Sequence, residues 1–133
     1  MNYICKSVLI TILCLYSTVT AAEWTHLNWY DAESPIDVYA DFDTIEREYS
    51  HSKIWGLVDF KIVTDSTVEN FSAKTRYEFA CMYNEVRQIS YSLYNKGMGK
   101  GEVVYSSNSI AGWSKIGSDF KQKLSIIACN QQV

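Results

Sequence analysis

The strongest pattern along this chain is alternation. Between positions 53 and 63, Ile54, Val58, Phe60 and Ile62 fall on one side of an extended backbone with Gly56 among them. Trp55, Leu57, Asp59 and Lys61 fall on the other. Between 73 and 83, Thr75, Tyr77, Phe79, Cys81 and Tyr83 share a side, while Lys74, Arg76 and Glu78 take the opposite one. A period of two puts successive side chains on opposite faces of a sheet, so both segments predict half-buried strands. Cys81 then points to the core side. Shorter strand candidates lie at 24–27, 36–41, 87–94 (Ile89, Tyr91 and Leu93 together) and 102–105. Polar segments at 31–35, 65–67 and 95–101 separate them as loops and turns. Residues 44–50 fit either a turn or a continuing strand.

The period changes near the C-terminus. Phe120, Leu124, Ile127 and Ala128 fall at helical spacing on one face. Gly117-Ser118-Asp119 precedes them, with Ser118 as N-cap and Asp119 near the positive end of the helix dipole. Leu124, Ile126 and Ala128 also alternate, so a last strand is the competing reading. The whole pattern predicts an α+β domain: a curved antiparallel β-sheet of about six strands with a C-terminal α-helix packed on one face.

The first 22 residues read as an export signal. Lys6 supplies a positive charge, positions 8–16 an apolar run, and Thr20-Ala21-Ala22 the small residues before a cut. The run is short for a membrane-spanning helix. The mature domain is expected at 23–133, about 111 residues, enough for one modest core. Leu13 stands before Cys14 where a lipid-anchored cysteine requires a small residue, so no membrane anchor is expected after cleavage.

Cleavage changes the cysteine count. Cys5 and Cys14 leave with the signal, and Cys81 and Cys129 remain in an oxidising compartment. The simplest reading is one disulfide, closing a loop of about 49 residues and worth roughly 4 kcal/mol in the chain-entropy model. The alternative is a pair of metal ligands. His26 and His51 are the only histidines, and they stand at no recognisable ligand spacing. Losing Lys6 leaves 11 basic residues against 15 acidic ones, a net charge of −4. A mildly acidic chain with scattered charges argues against nucleic acid and against an anionic membrane as partner.

Candidate chemistry is sparse. No Gly-x-Ser-x-Gly nucleophile motif occurs. Asp41 with Asp43, and Glu46 with Glu48, read as solvated turn and edge acids rather than an acid/base pair. Asp41-Phe42-Asp43 lacks the rest of an EF-hand pattern. Gly97-Met98-Gly99-Lys100-Gly101 lacks the GK[ST] ending and following helix of a phosphate loop, and reads as a hairpin turn. Asn70-Phe71-Ser72 is a glycosylation acceptor only in a eukaryotic host. No enzyme, metal or cofactor is expected. The ten tyrosines and four tryptophans are the one feature with a functional lean. They cannot all be core in a domain of this size, and exposed Trp and Tyr anchor protein interfaces. The candidate partner-binding face comprises Trp29, Tyr30, Trp55, Tyr94 and Trp113.

Several short motifs, in order, resemble the bacterial surface-adhesin protein E family. They are Trp24, Val38-Tyr39-Ala40-Asp41, Thr44-Ile45-Glu46-Arg47 and Lys53-Ile54-Trp55-Gly56-Leu57-Val58-Asp59, then Glu78-Phe79-Ala80-Cys81, Arg87, Tyr94 and Met98. Gly101-Glu102-Val103-Val104, Trp113, Gly117-Ser118 and Cys129 complete the set. The resemblance spans nearly the whole mature chain. It implies a bacterial exported domain with an antiparallel sheet, a C-terminal helix and one disulfide. For the adhesin that names the family it implies binding of vitronectin, laminin and plasminogen. That adhesin is lipid-anchored, and this chain departs from it there.

The reading is therefore a non-enzymatic exported binding domain for a protein partner, in the periplasm or on the surface of a Gram-negative bacterium, with a homodimer also open. Two rivals remain: a periplasmic domain serving an envelope partner, and a small-molecule carrier for an aromatic ligand such as haem.

Overall fold

The computed structural model describes residues 21–29, 32–33 and 35–130. The expected signal segment up to residue 20, Tyr30 and part of the 31–35 loop lie outside the described residues. Among the described residues seven strands and one α-helix follow in order: β1 (Thr25–His26), β2 (Asp37–Glu48), β3 (His51–Val63), β4 (Val68–Ala80), β5 (Glu85–Tyr94), β6 (Val103–Ser107), β7 (Ser114–Lys115) and α1 (Phe120–Cys129), with a 3-10 turn at Gly97–Gly99 between β5 and β6. Strands β1 to β6 lie side by side in chain order, and β7 pairs with the start of β5. Every pairing is antiparallel. The sheet is an open meander whose faces are set by the alternation in β3 and β4.

Pairing lengthens the strands beyond what alternation predicts. β3 and β4 stay in unbroken register from His51 opposite Ala80 to Val63 opposite Val68. The polar residues Glu69 and Asn70, on a stretch with no clean alternation, are held extended by that ladder. A tight turn closes it, with the Thr64 amide donating to Thr67 O at 2.9 Å. β2 continues through the ambiguous segment as far as Glu48, across a register shift between Asp41 and Glu46, and residues 49–50 form the turn to β3. The Thr44 hydroxyl bridges that irregularity. It accepts from the Trp55 amide at 3.1 Å and donates to Asp41 O at 2.6 Å, standing in for a missing backbone partner.

β4 ends at Ala80, so Cys81 lies in the following turn, its amide donating to Ser50 O at 2.9 Å. Its side chain still packs against the core. The C-terminal segment is a helix, not a strand. Its N-cap is Asp119 rather than Ser118: Asp119 is extended, and its carboxylate accepts from the Lys121 amide at 2.9 Å. At the other end Asn130 adopts φ 51°. Arg47 of β2 donates to the carbonyls of Ala128 (3.0 Å) and Ile127 (3.3 Å), placing a cation at the negative end of the helix dipole.

The core lies between the sheet and α1. Val38, Ala40, Ile54, Tyr77, Phe79 and Val86 meet Leu124 and Ala128, with Phe120 and Ile127 closing the sides. Gly56 makes room for this: a Cβ there would stand 3.2 Å from the Tyr77 ring and 3.5 Å from Leu124. The Cys81–Cys129 disulfide, with Cα atoms 5.8 Å apart, fastens the last helical turn to the end of β4.

Candidate functional site

Among the described residues, the other face of the sheet carries no α-helix. Part of it is closed by the turn between β5 and β6. Gly101 has φ 80°, and any side chain there would run into Asn95 and Lys96. The turn folds back so that the Met98 amide donates to Asp59 Oδ1 at 2.8 Å and the Gly99 amide to Ser72 Oγ at 2.8 Å. Leu57 is fully buried beneath it.

Beyond that turn the face is polar and aromatic. In the β3–β4 register Trp55 stands opposite Arg76, and Leu57 opposite Lys74. The Lys74 ammonium lies 5.3 Å from the centre of the Trp55 ring and 5.8 Å from that of Trp24, and the Arg76 guanidinium lies 5.9 Å from Trp55. Each distance is within the range of cation–π attraction. Arg76 also pairs with Glu46 at 2.8 Å. Among the described residues, Lys74 pairs with no carboxylate.

The centre of the next group is Glu78. Its register partners are Lys53 on β3 and Arg87 on β5. Arg87 donates twice to Glu78 Oε1, from Nε at 3.0 Å and Nη2 at 2.7 Å. Lys53 Nζ lies 3.9 Å from Oε2, and His51 Nδ1 lies 3.6 Å from Oε1. The Glu78 side chain is only 7% exposed, so its charge needs these partners. Trp113, from the segment between β6 and β7, covers the pair. Arg87 lies 4.4 Å from its ring centre, and His51 meets it edge-on at 5.4 Å.

Of the five expected aromatic contacts, Trp55 and Trp113 share this open face. Trp29 does not: it packs against the core and lines a separate cleft of about 890 Å³ with Pro35, Ile36 and Phe60. Tyr94 lies toward the end of β5, opposite Ser72 and Val103. Tyr30 lies outside the described residues. The expected set is therefore not one surface. Lys53, Lys74, Arg76, Arg87 and Glu78 were missed as site residues; the alternation places three of them on one side of β4, but only the register brings them against the tryptophans.

The neighbouring acids divide in two. Asp41 is buried and accepts from the Asp43 amide at 3.1 Å, unlike the solvated acid expected, whereas Asp43, Glu46 and Glu48 are exposed. Near Asp37, loss of solvent and the Asp37 and Asp59 carboxylates push the Tyr39 hydroxyl above its ordinary pKa. Among the described residues, no three His, Cys, Asp or Glu side chains gather where they could hold a metal ion. Neither histidine there hydrogen-bonds a hydroxyl or thiol; His26 contacts Asn28 and Asp37. No described helix is long and apolar enough to cross a membrane. The arrangement presents fixed charge and aromatic planes, which suits recognition.

No curated protein matches the chain. A family model does, over residues 24–130, which takes in the whole sheet, the open face and the disulfide-tied helix: the chain belongs to the surface-adhesin protein E family.

Proposed function

We propose that this protein is an exported, non-enzymatic adhesin-like domain that binds a protein partner through the open face of its sheet. Residues 1–22 direct export and 23–133 form the binding domain. Trp55 and Trp113 are the aromatic anchors, and Lys74, Arg76 and Arg87 the charged groups around them. The partners are host matrix or plasma proteins of the vitronectin, laminin and plasminogen kind. Membership of an adhesin family over residues 24–130 carries this reading. The open face supports it, because aromatic and arginine side chains are the residue types that dominate protein interfaces.

Binding of the purified, oxidised protein to immobilised vitronectin, laminin, plasminogen and an unrelated acidic control tests the proposal. Saturable and selective binding at micromolar concentration, weakened at least tenfold by Trp113→Ala, is expected. Uniform absence of binding overturns host adhesion and moves the search to envelope partners, by crosslinking in the native cell.

A further inference from the structure

β2 stops short of its neighbour. Its pairing with β3 ends at Asp37 opposite Asp59, while β3 runs on beside β4 to Val63. Proline explains the stop. In continued register Pro35 would stand opposite Lys61, and it has no N–H to give to a ladder. The Thr64 amide bonds Thr67 O, so by the alternation of an antiparallel ladder Ile62 and Phe60 also direct their backbone bonds to β4. Lys61 and Val63 therefore turn their amides and carbonyls the other way, along an edge that no described strand covers.

The cleft of about 890 Å³ lies against this edge, and both sides of the sheet line it, as expected where a strand is missing. Trp29, Ile36 and Phe60 make its helix side apolar. Asp37, Asp59 and Lys61 belong to the open side. Among the described residues lining the cleft, three carboxylates (Glu33, Asp37 and Asp59) stand against one cation, Lys61. His26 meets Asp37 from β1 at 3.2 Å, and the Asp37 side chain is still mostly exposed. Asp59 accepts from the Met98 amide, which leaves its charge uncancelled. The field of both acids reaches Tyr39, whose hydroxyl is pushed up by burial first and by Asp37 and Asp59 after it.

We infer that this edge takes an extended peptide segment of a partner protein as an added strand, antiparallel to β3 and in line with β2, with side chains alternating between apolar and basic. Its backbone bonds Lys61 and Val63. A period of two sends its apolar side chains to Trp29, Ile36 and Phe60, and its basic ones to the side of Asp37 and Asp59. A basic residue opposite Lys61 has Asp59 on its diagonal and Asp37 next in line. Unpaired strand edges are templates for another chain, and the exposed Ile62 and Val63 do not shield this one.

The turn held on Asp59 lies between this edge and Trp55, so the site and its test are separate from the proposed adhesion face. Calorimetric titration of the purified protein with a capped peptide of about six residues alternating lysine and valine tests the inference, beside a glutamate–valine counterpart. Saturable binding of the basic peptide alone is expected. N-methylation of its lysine amides, the ones that face β3, should abolish binding, whereas N-methylation of its valine amides should not. Asp37→Asn should weaken it several-fold. Lys61→Pro deletes an outward N–H without removing a bond to β4, and should abolish it. Lys61→Ala removes only the opposing charge, and should tighten it. Circular dichroism checks that each variant folds, and the two methylated peptides decide if Lys61→Pro does not. Failure of the basic peptide to bind, equal binding of the two methylated forms, or equal binding of the glutamate peptide would each overturn the inference. So would a dimer, seen by sedimentation and lost in Lys61→Pro, which gives the edge to a second copy. Capture of the host proteins without peptide binding removes this inference and leaves the adhesion; peptide binding without capture does the reverse.

Discussion

Alternate residues of the same strands build two faces that are closed by different physics. On the helix side, Val38, Ile54, Phe79 and Leu124 are completely buried, and each such side chain contributes roughly 1.5–3 kcal/mol through apolar surface removed from water. On the open side, Trp55 and Trp113 lie under cations, and a buried carboxylate is ringed by Arg87, Lys53 and His51. Partly exposed ion pairs of this kind contribute about 0–1 kcal/mol each, and ordering long basic side chains costs entropy. The covered face is explained by stability. The ion pairs of the open face add much less, which supports the proposal of recognition there.

The comparison breaks if the covered face is dispensable. Leu124→Ala is expected to lower stability by about 3 kcal/mol, since the cavity would open between Gly56 and Tyr77 with little to fill it. Cys129→Ser should cost about 2–5 kcal/mol, as the helix loses its tie to the end of β4. Urea titration of both variants reads these values, and losses below about 1 kcal/mol would show that the helix is not the keystone of the core.

Alkali probes the same face. Burial pushes the Tyr77 hydroxyl up to about 12, helped by the nearby Asp119 carboxylate and by Tyr91, and opposed by a hydrogen bond with Thr75. The raised value means the folded state holds this proton after the unfolded chain, near pH 10, has begun to release it. Stability is therefore fully present below about pH 10 and falls by about 1.4 kcal/mol per pH unit between about 10 and 12. Thermal melts across that range check it, and Tyr77→Phe should flatten the slope.

The covered face was more legible than the open one. Alternation in 53–63 and 73–83 needs only local sequence, as does the helical spacing of Phe120, Leu124, Ile127 and Ala128, so sheet and helix follow from short-range patterns, while the Cys81–Cys129 link follows from the cysteine count once Cys5 and Cys14 are set aside. The open face depends on which residue stands opposite which. That register comes from hairpin turns and the irregularity at 41–46, and sliding any strand by one residue would reverse its faces. Nothing local says that Trp55 meets Arg76, that Glu78 falls between Lys53 and Arg87, or that Trp29 turns to the core while Trp113 does not. β7 escaped for a similar reason: two residues paired with β5 have no period to detect.

Arg87 tests whether the open face has a structural share. Removing it by Arg87→Ala strips the double hydrogen bond from a carboxylate that is nearly buried, leaving Lys53 and His51 at longer range. A loss of about 2 kcal/mol is expected, discounted because Arg87 is itself part-exposed. Adding Glu78→Gln should recover part of that loss, since the uncompensated charge goes with it. A double-mutant cycle in urea reads the coupling, and additivity within about 0.3 kcal/mol would mean the pair does not interact.

Lys74→Ala sharpens the comparison at its smallest effect on stability. The residue pairs with no described carboxylate, and its ammonium is attracted by two indoles at partly exposed positions, each contact worth about 0.5–1 kcal/mol. Against this stands the rotamer entropy that a free lysine regains, about 1–2 kcal/mol when fully released. The two nearly cancel, so the expected change in stability is under about 1 kcal/mol, in contrast to Leu124→Ala on the opposite face. Partner binding should move the other way, weakened several-fold by Lys74→Ala in the immobilised panel. A variant that loses stability without losing binding would make the Trp24–Lys74–Trp55 arrangement a device for holding β3 against β4. One that loses binding at unchanged stability would assign it to recognition.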